Sequence, residues 1–164
     1  MKSAKIVIVF LAAVVAGGLA LEAVGRVAGA QPAAVEPAEP GSVLVIELSS
    51  YQLESTLAFH AEGAAFLNLT PDHLARHGDM ETYRRTKLRI FEGQTAEDLR
   101  VVPVAHPEWW QEAPGAGRVA RFGWSECEAW CDGAGRMTLH GEALLNCSEL
   151  RIPGRHNVEN ALAA

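Results

Sequence analysis

The chain lacks a surplus of positive charge: Lys and Arg number 14 against 20 Asp and Glu, which leaves its 164 residues at a formal −6. That balance argues against a basic surface for nucleic acid. One basic run exists, Arg84, Arg85, Lys87 and Arg89 on a single predicted helix, and it reads as a solvated face apart from Lys87. A cysteine framework is also missing. Cys127, Cys131 and Cys147 are odd in number, and Cys-x3-Cys in a stretch of short alternating strands, even with His140 nearby, reads as reduced thiols rather than a zinc site. The length allows about one domain with one core.

What the chain does have is a stretch at 70–91 around which the rest is organised. It follows Ala64-Ala65-Phe66-Leu67-Asn68-Leu69, a short apolar run bounded by Gly63 and Pro71 that reads as a buried strand. Asp72 and His73 then fall just past a strand's carboxyl end. Asp79 is a good N-cap with Glu81 in the first turn, where an acid suits the helix dipole. On that helix Met80, Tyr83, Lys87 and Phe91 recur at spacings of three and four, which puts Lys87 on the inward stripe. Taken alone, such a lysine buries its stem and sends its ammonium to water.

A second strand upstream changes that reading. Ser42-Val43-Leu44-Val45-Ile46-Glu47-Leu48 is nearly all apolar, as in parallel sheets covered on both faces, with the carboxylate of Glu47 at its end. Residues 51–59 offer Leu53, Leu57 and Ala58 at helical spacing, enough for a short crossover. Ligands of open parallel sheets sit beyond the carboxyl ends of the strands, where Glu47 and His73 both point. A carboxylate, an imidazole and an inward amine are expected to converge there.

Four segments, in this order, resemble the central domain of the Mur ligases: Glu47-Leu48-Ser49-Ser50-Tyr51-Gln52-Leu53-Glu54, then Leu67-Asn68-Leu69-Thr70-Pro71-Asp72-His73-Leu74, then 83–91, then Gly154-Arg155-His156-Asn157-Val158-Glu159-Asn160 and the residues after it. The resemblance runs from residue 41 onward, and Leu-Ser-Ser-Tyr-Gln-Leu favours the D-glutamate-adding branch over its sisters, including the folate-polyglutamylating ligase of the superfamily. It implies an α/β fold: a mostly parallel sheet with flanking helices and a small antiparallel meander. It also implies ATP and Mg2+ as cofactors, with UDP-N-acetylmuramoyl-L-alanine and D-glutamate as substrates of an amide ligase in peptidoglycan precursor synthesis. By the same resemblance Glu47 and His73 hold magnesium, with Lys87, carbamylated by carbon dioxide, completing the metal site. Ser49 and Gln52 match positions near the muramoyl substrate, and Asn157 and Asn160 match amides near the adenine. Ala75 departs from the pattern, standing where the family commonly has an aspartate.

The family's phosphate loop, Gly-x-x-Gly-Lys-Ser/Thr, is not found upstream, where Lys2-Ser3 match only its last two positions. Residues 1–40 form an N-terminal apolar segment and linker. Lys2 and Lys5, the apolar run at 6–15 and Ala28-Gly29-Ala30 before Gln31 have the layout of a secretory signal; a strand followed by a helix over 12–27 is the alternative. Since the resemblance implies cytosolic substrates, a cytoplasmic location is expected, with 31–41 as a Pro- and Ala-rich linker. Residues 41–164 are then an incomplete central domain with little or no ligase activity alone. The rival reading is a non-catalytic remnant or exported binding module on the same scaffold.

Downstream, 100–104 reads as another strand, followed by Trp109 and Trp110, expected as loop anchors rather than a stacking platform. Short runs from 119 to 152, at 119–122, 128–131, 137–140, 143–145 and 149–152, predict an antiparallel meander. A last helix starts near Asn157, which is expected to cap it.

Overall fold

The computed structural model describes residues 5–9 and 43–164. The signal-like reading of the first thirty residues, the helix over 12–27 and the linker at 31–41 fall outside these, apart from 5–9. Among the described residues eight strands form one sheet in the order β2-β1-β3-β4-β5-β6-β7-β8. Here β1 is Lys5–Val9, β2 Val43–Ile46, β3 Gly63–Ala65, β4 Leu99–Pro103, β5 Arg118–Gly123, β6 Ala129–Cys131, β7 Arg136–Leu139 and β8 Glu142–Asn146. All pairings from β2 to β6 are parallel, and β6-β7-β8 is antiparallel. The mostly parallel sheet with a small meander is therefore as expected.

The meander is smaller than the sequence suggested. The 119–122 run is β5, which pairs parallel with β4 over five residues and with β6 over only two pairs, Phe122 with Ala129 and Gly123 with Trp130. The 149–152 run is no strand. A 3-10 turn at Cys147–Glu149 precedes it, held by Asn146 and Glu149, each of which bonds the other's end of the turn. The two strands of the sequence argument, β2 and β3, are also not neighbours, because β1 lies between them.

Among the described residues there are four α-helices, α1 Ser50–Glu54, α2 Leu74–His77, α3 Met80–Leu88 and α4 Arg155–Ala163. Asp79 caps α3 as expected, its carboxylate accepting from the Thr82 N–H at 2.7 Å. The cap of α4 is Gly154 at φ 116°; Asn157 instead donates its side-chain amide to the Pro153 carbonyl at 2.8 Å. Gly154 takes the cap because that backbone is open only to a residue without a Cβ.

Two apolar clusters form the core. The larger gathers Ile46, Leu48, Leu53, Phe66, Tyr83, Ile90, Phe91 and Val102, with Trp109 and Trp110 packed on its margin. Trp110 donates its indole N–H to the Pro103 carbonyl at 2.9 Å, and Trp109 stacks on His106 at 3.9 Å, so the pair anchors the loop after β4. The second joins β5, β6 and β7 to α4 through Phe122, Ala129, Cys131, Met137, Val158 and Leu162. The α-helix expected to run on to Phe91 ends at Leu88, and Phe91 closes the 3-10 turn Arg89–Phe91 that follows, fully buried under the Arg100 guanidinium, which lies 4.6 Å from its ring centre. Phe91→Ala is expected to destabilise the domain by about 3–5 kcal/mol, measured by urea unfolding, because the cavity would lie at the centre of the larger cluster.

Candidate functional site

Because β2, β3, β4 and β5 run parallel, their carboxyl ends share one edge of the sheet. Glu47 follows β2 there, exposed, and leads into Ser49, the N-cap of α1. A capping box joins Ser49 and Gln52: the Gln52 N–H donates to Ser49 Oγ at 3.3 Å, and Gln52 Oε1 accepts from the Ser49 N–H at 2.8 Å and its hydroxyl at 2.9 Å. That leaves the Gln52 Nε2 donors directed elsewhere.

Beyond β3 the chain runs through buried Phe66, Leu67 and Leu69 before it reaches Asp72 and His73. The ladder ends earlier than the apolar run does, with Phe66 N–H donating to Val101 O at 2.9 Å as its last rung. His73 adopts a left-handed backbone, φ 55°, as the residue before α2. Such a conformation costs a non-glycine residue of order 1 kcal/mol. The Asp72 carboxylate holds it, accepting from the His73 N–H at 2.7 Å and lying 3.4 Å from its Nε2.

Lys87 enters the same space from α3. Its residue is 2% exposed, so the ammonium does not snorkel. The Nζ donates to the Asn68 carbonyl at 2.7 Å, with the rings of Phe66 and Tyr83 5.3 and 5.4 Å away. Burial among these groups pulls the amine down to about 8, against the opposing attraction of the Asp72 carboxylate. Tyr83 is shifted upward by the same burial, then by Asp72 and Tyr51.

Lys87, Asp72, His73 and Tyr83 are therefore neighbours, the His73 and Tyr83 rings standing edge-on at 6.4 Å. Glu47 lies on the same sheet edge but remains exposed, and among the described residues no three of His, Cys, Asp and Glu form a ready metal cluster. Oxygen donors with one imidazole still suit magnesium, which keeps several waters and uses one or two carboxylates rather than a closed protein cage. An ammonium repels a cation, so Lys87 fits such a site only after losing its charge.

At the far side of this edge, α4 begins beside Trp124, which follows β5. The Trp124 indole N–H donates to Glu159 at 2.7 Å and Arg155 lies over its ring at 4.5 Å. Asn157 and Asn160 are one turn apart on that helix, both half-buried. A cavity of about 450 Å³ opens there between Trp124, Leu150, Pro153, Arg155 and Val158.

Sequence reasoning missed His77. It is buried on α2, 3.0 Å from Ser50 Oγ through its Nε2, and no local spacing signals a partner 27 residues away.

Fold and site define an α/β domain that gathers its polar groups at the carboxyl edge of a parallel sheet, as nucleotide-using enzymes of this architecture do. Residues 30–164 match the Mur ligase middle domain, and the chain belongs to that family. Among its relatives, the UDP-N-acetylmuramoylalanine–D-glutamate ligase of Chromohalobacter salexigens is 44% identical over 74% of this chain and 27% of its own length. The ligase of the same name from Chromobacterium violaceum is 32% identical over 92% of this chain and 32% of its own. The chain thus spans roughly three-tenths of the length of these relatives, and their names agree with the branch that the Ser-Ser-Tyr-Gln segment favours. Solved structures agree in fold. A Neisseria meningitides UDP-N-acetylmuramate:L-alanyl-gamma-D-glutamyl-meso-diaminopimelate ligase superposes at TM-score 0.58 and 19% identity over 78% of this chain and 43% of that one. MurF from Acinetobacter baumannii does so at 0.56 and 17% over 76% and 30%.

The Lys87 amine is expected to titrate near pH 8 when followed by 15N NMR. Its folded value lies below that of the unfolded chain, so between about 8 and 10.5 the unfolded state binds more protons and stability rises with pH. Lys87→Met should flatten that rise in unfolding experiments run from pH 7 to 10.5; an unchanged slope would mean that the amine is not desolvated.

Proposed function

We propose that this chain supplies the central domain of a ligase that joins D-glutamate to UDP-N-acetylmuramoyl-L-alanine at the expense of ATP, in the cytoplasm. The observation that carries the reading is the buried Lys87 amine beside Asp72 and His73, in a chain of this family that is similar to proteins named as D-glutamate ligases. In the reaction the substrate carboxylate is activated as an acyl phosphate and the amine of D-glutamate displaces phosphate to form the amide.

The chain's own residues divide that work. At pH 8 about half of the Lys87 side chains are neutral, a far larger share than for an ordinary lysine. A neutral amine attacks carbon dioxide: the N–C bond forms as one C=O π pair moves onto oxygen, one N–H proton leaves to solvent, and the neutral amine becomes a carbamate anion. One N–H remains, so the bond to the Asn68 carbonyl survives while the new carboxylate extends toward His73. Glu47, His73 and carbamylated Lys87 would hold magnesium. When bound, magnesium neutralises charge developing on the phosphate oxygens. Ser49 and the Gln52 amide face the muramoyl part of the substrate, and Asn157 and Asn160 take the adenine edge, where an amide both donates and accepts.

Carbon-13 bicarbonate tests this directly. The folded chain should show a carbamate signal that grows between pH 7 and 9 and is missing from Lys87→Arg; no signal at any bicarbonate concentration would overturn the reading. Asn157→Ala should weaken Mg·ATP binding about tenfold, measured by calorimetry, if the helix amide holds the base.

A further inference from the structure

Three contacts on this face share one member, His77. His77 is buried, its Nε2 lies 3.0 Å from Ser50 Oγ, its ring stacks on Tyr51 at 5.7 Å and 21°, and it meets the Tyr83 ring at a tilt, at 5.2 Å and 31°. Tyr51 and Tyr83 in turn each meet the His73 ring, at 4.9 and 6.4 Å. Arg76 strengthens the same joint from outside, 5.5 Å from the Tyr51 ring and paired with Glu54 at 3.1 Å.

Each neighbour belongs to a different part of the site. Ser50 is the first residue of α1, adjoining the Ser49 and Gln52 capping box. Tyr83 is one turn before Lys87 on α3 and covers its Nζ. His73 opens the short helix that His77 closes. A four-residue helix has too few internal hydrogen bonds to hold itself, and a left-handed residue at its start adds strain. Its position is therefore set by what its side chains grip, and the buried grip is His77.

We infer that His77 is a positioning residue that locks the muramoyl-facing segment 49–52 to the His73 loop, acting through Ser50 and not by touching substrate. The inference rests on the proposed function, because the ligand it senses is the nucleotide-muramoyl substrate. Ser50 is 3% exposed, so its hydroxyl has no water to turn to when His77 is lost. Freed of that bond, α1 has only five helical residues with which to keep Ser49 and Gln52 in place.

The test uses the 164-residue chain, 15N-labelled, titrated separately with UDP-N-acetylmuramoyl-L-alanine and with Mg·ATP. His77→Phe keeps a stacking ring and removes the Ser50 bond. It should weaken the first ligand about tenfold and leave Mg·ATP within about twofold. His77→Gln, whose amide again reaches Ser50 Oγ, should recover most of the loss, which a merely structural role would not produce. Ser50→Ala removes the same bond from the small partner and serves where the Phe variant fails to fold. Unchanged affinity for the first ligand in both His77→Phe and Ser50→Ala overturns this inference alone. Failure of the unsubstituted chain to bind that ligand overturns the proposed function and the inference together.

Discussion

A single buried amine sets the terms for the rest of this structure. Lys87 sits on the inward stripe of α3 with its Nζ on the Asn68 carbonyl and two aromatic rings around it. An ammonium so placed loses most of its hydration, and burial is the larger influence on it, outweighing the attraction of Asp72. The protein has three physical ways out: let the amine reach water, pair it closely, or discharge it. Its burial closes the first route. Asp72 acts on it as an attraction opposing burial, and the amine is still pulled down. The downward shift favours discharge, and discharge is also what creates a nucleophile.

The surrounding chain follows from that constraint. The loop at 66–73 supplies the carbonyl and one ring, and its Phe66 and Leu69 sink into the larger core cluster while Leu67 joins the second. Its end is bent through a left-handed His73 held by Asp72. Helix α2 then turns back so that His77 can meet α1. The strain at His73 and the polar burial at Lys87, Ser50 and His77 occur together at one edge of an otherwise apolar scaffold. Local departures of this kind persist where surrounding packing enforces them.

Much of this was legible in the letters. The cap at Asp79, the inward face carrying Tyr83 and Lys87, and the apolar run into Glu47 follow from rules that act over a few residues, and the structure keeps all three. Pairing partners were not legible. Alternation reports a strand but not the direction of its neighbour, and a five-residue connection from β5 to β6 reads naturally as a hairpin. The structure instead gives a brief parallel contact, so the meander starts one strand later. Likewise Ser50 and His77 are ordinary residues until folding closes 27 positions between them. Asn157 reads as a cap when the last helix is taken to start at it, yet the helix starts two residues earlier and the backbone at Gly154 takes that place.

The central claim is that Lys87 becomes an anion beside His73. Crystals of the chain grown with bicarbonate and magnesium would test it at the atom concerned. The account predicts density continuing from Nζ into a planar carboxylate, with a metal ion about 2.0–2.1 Å from one of its oxygens and His73 turned toward it. A bare ammonium still resting on the Asn68 carbonyl, with magnesium bound elsewhere, would contradict it.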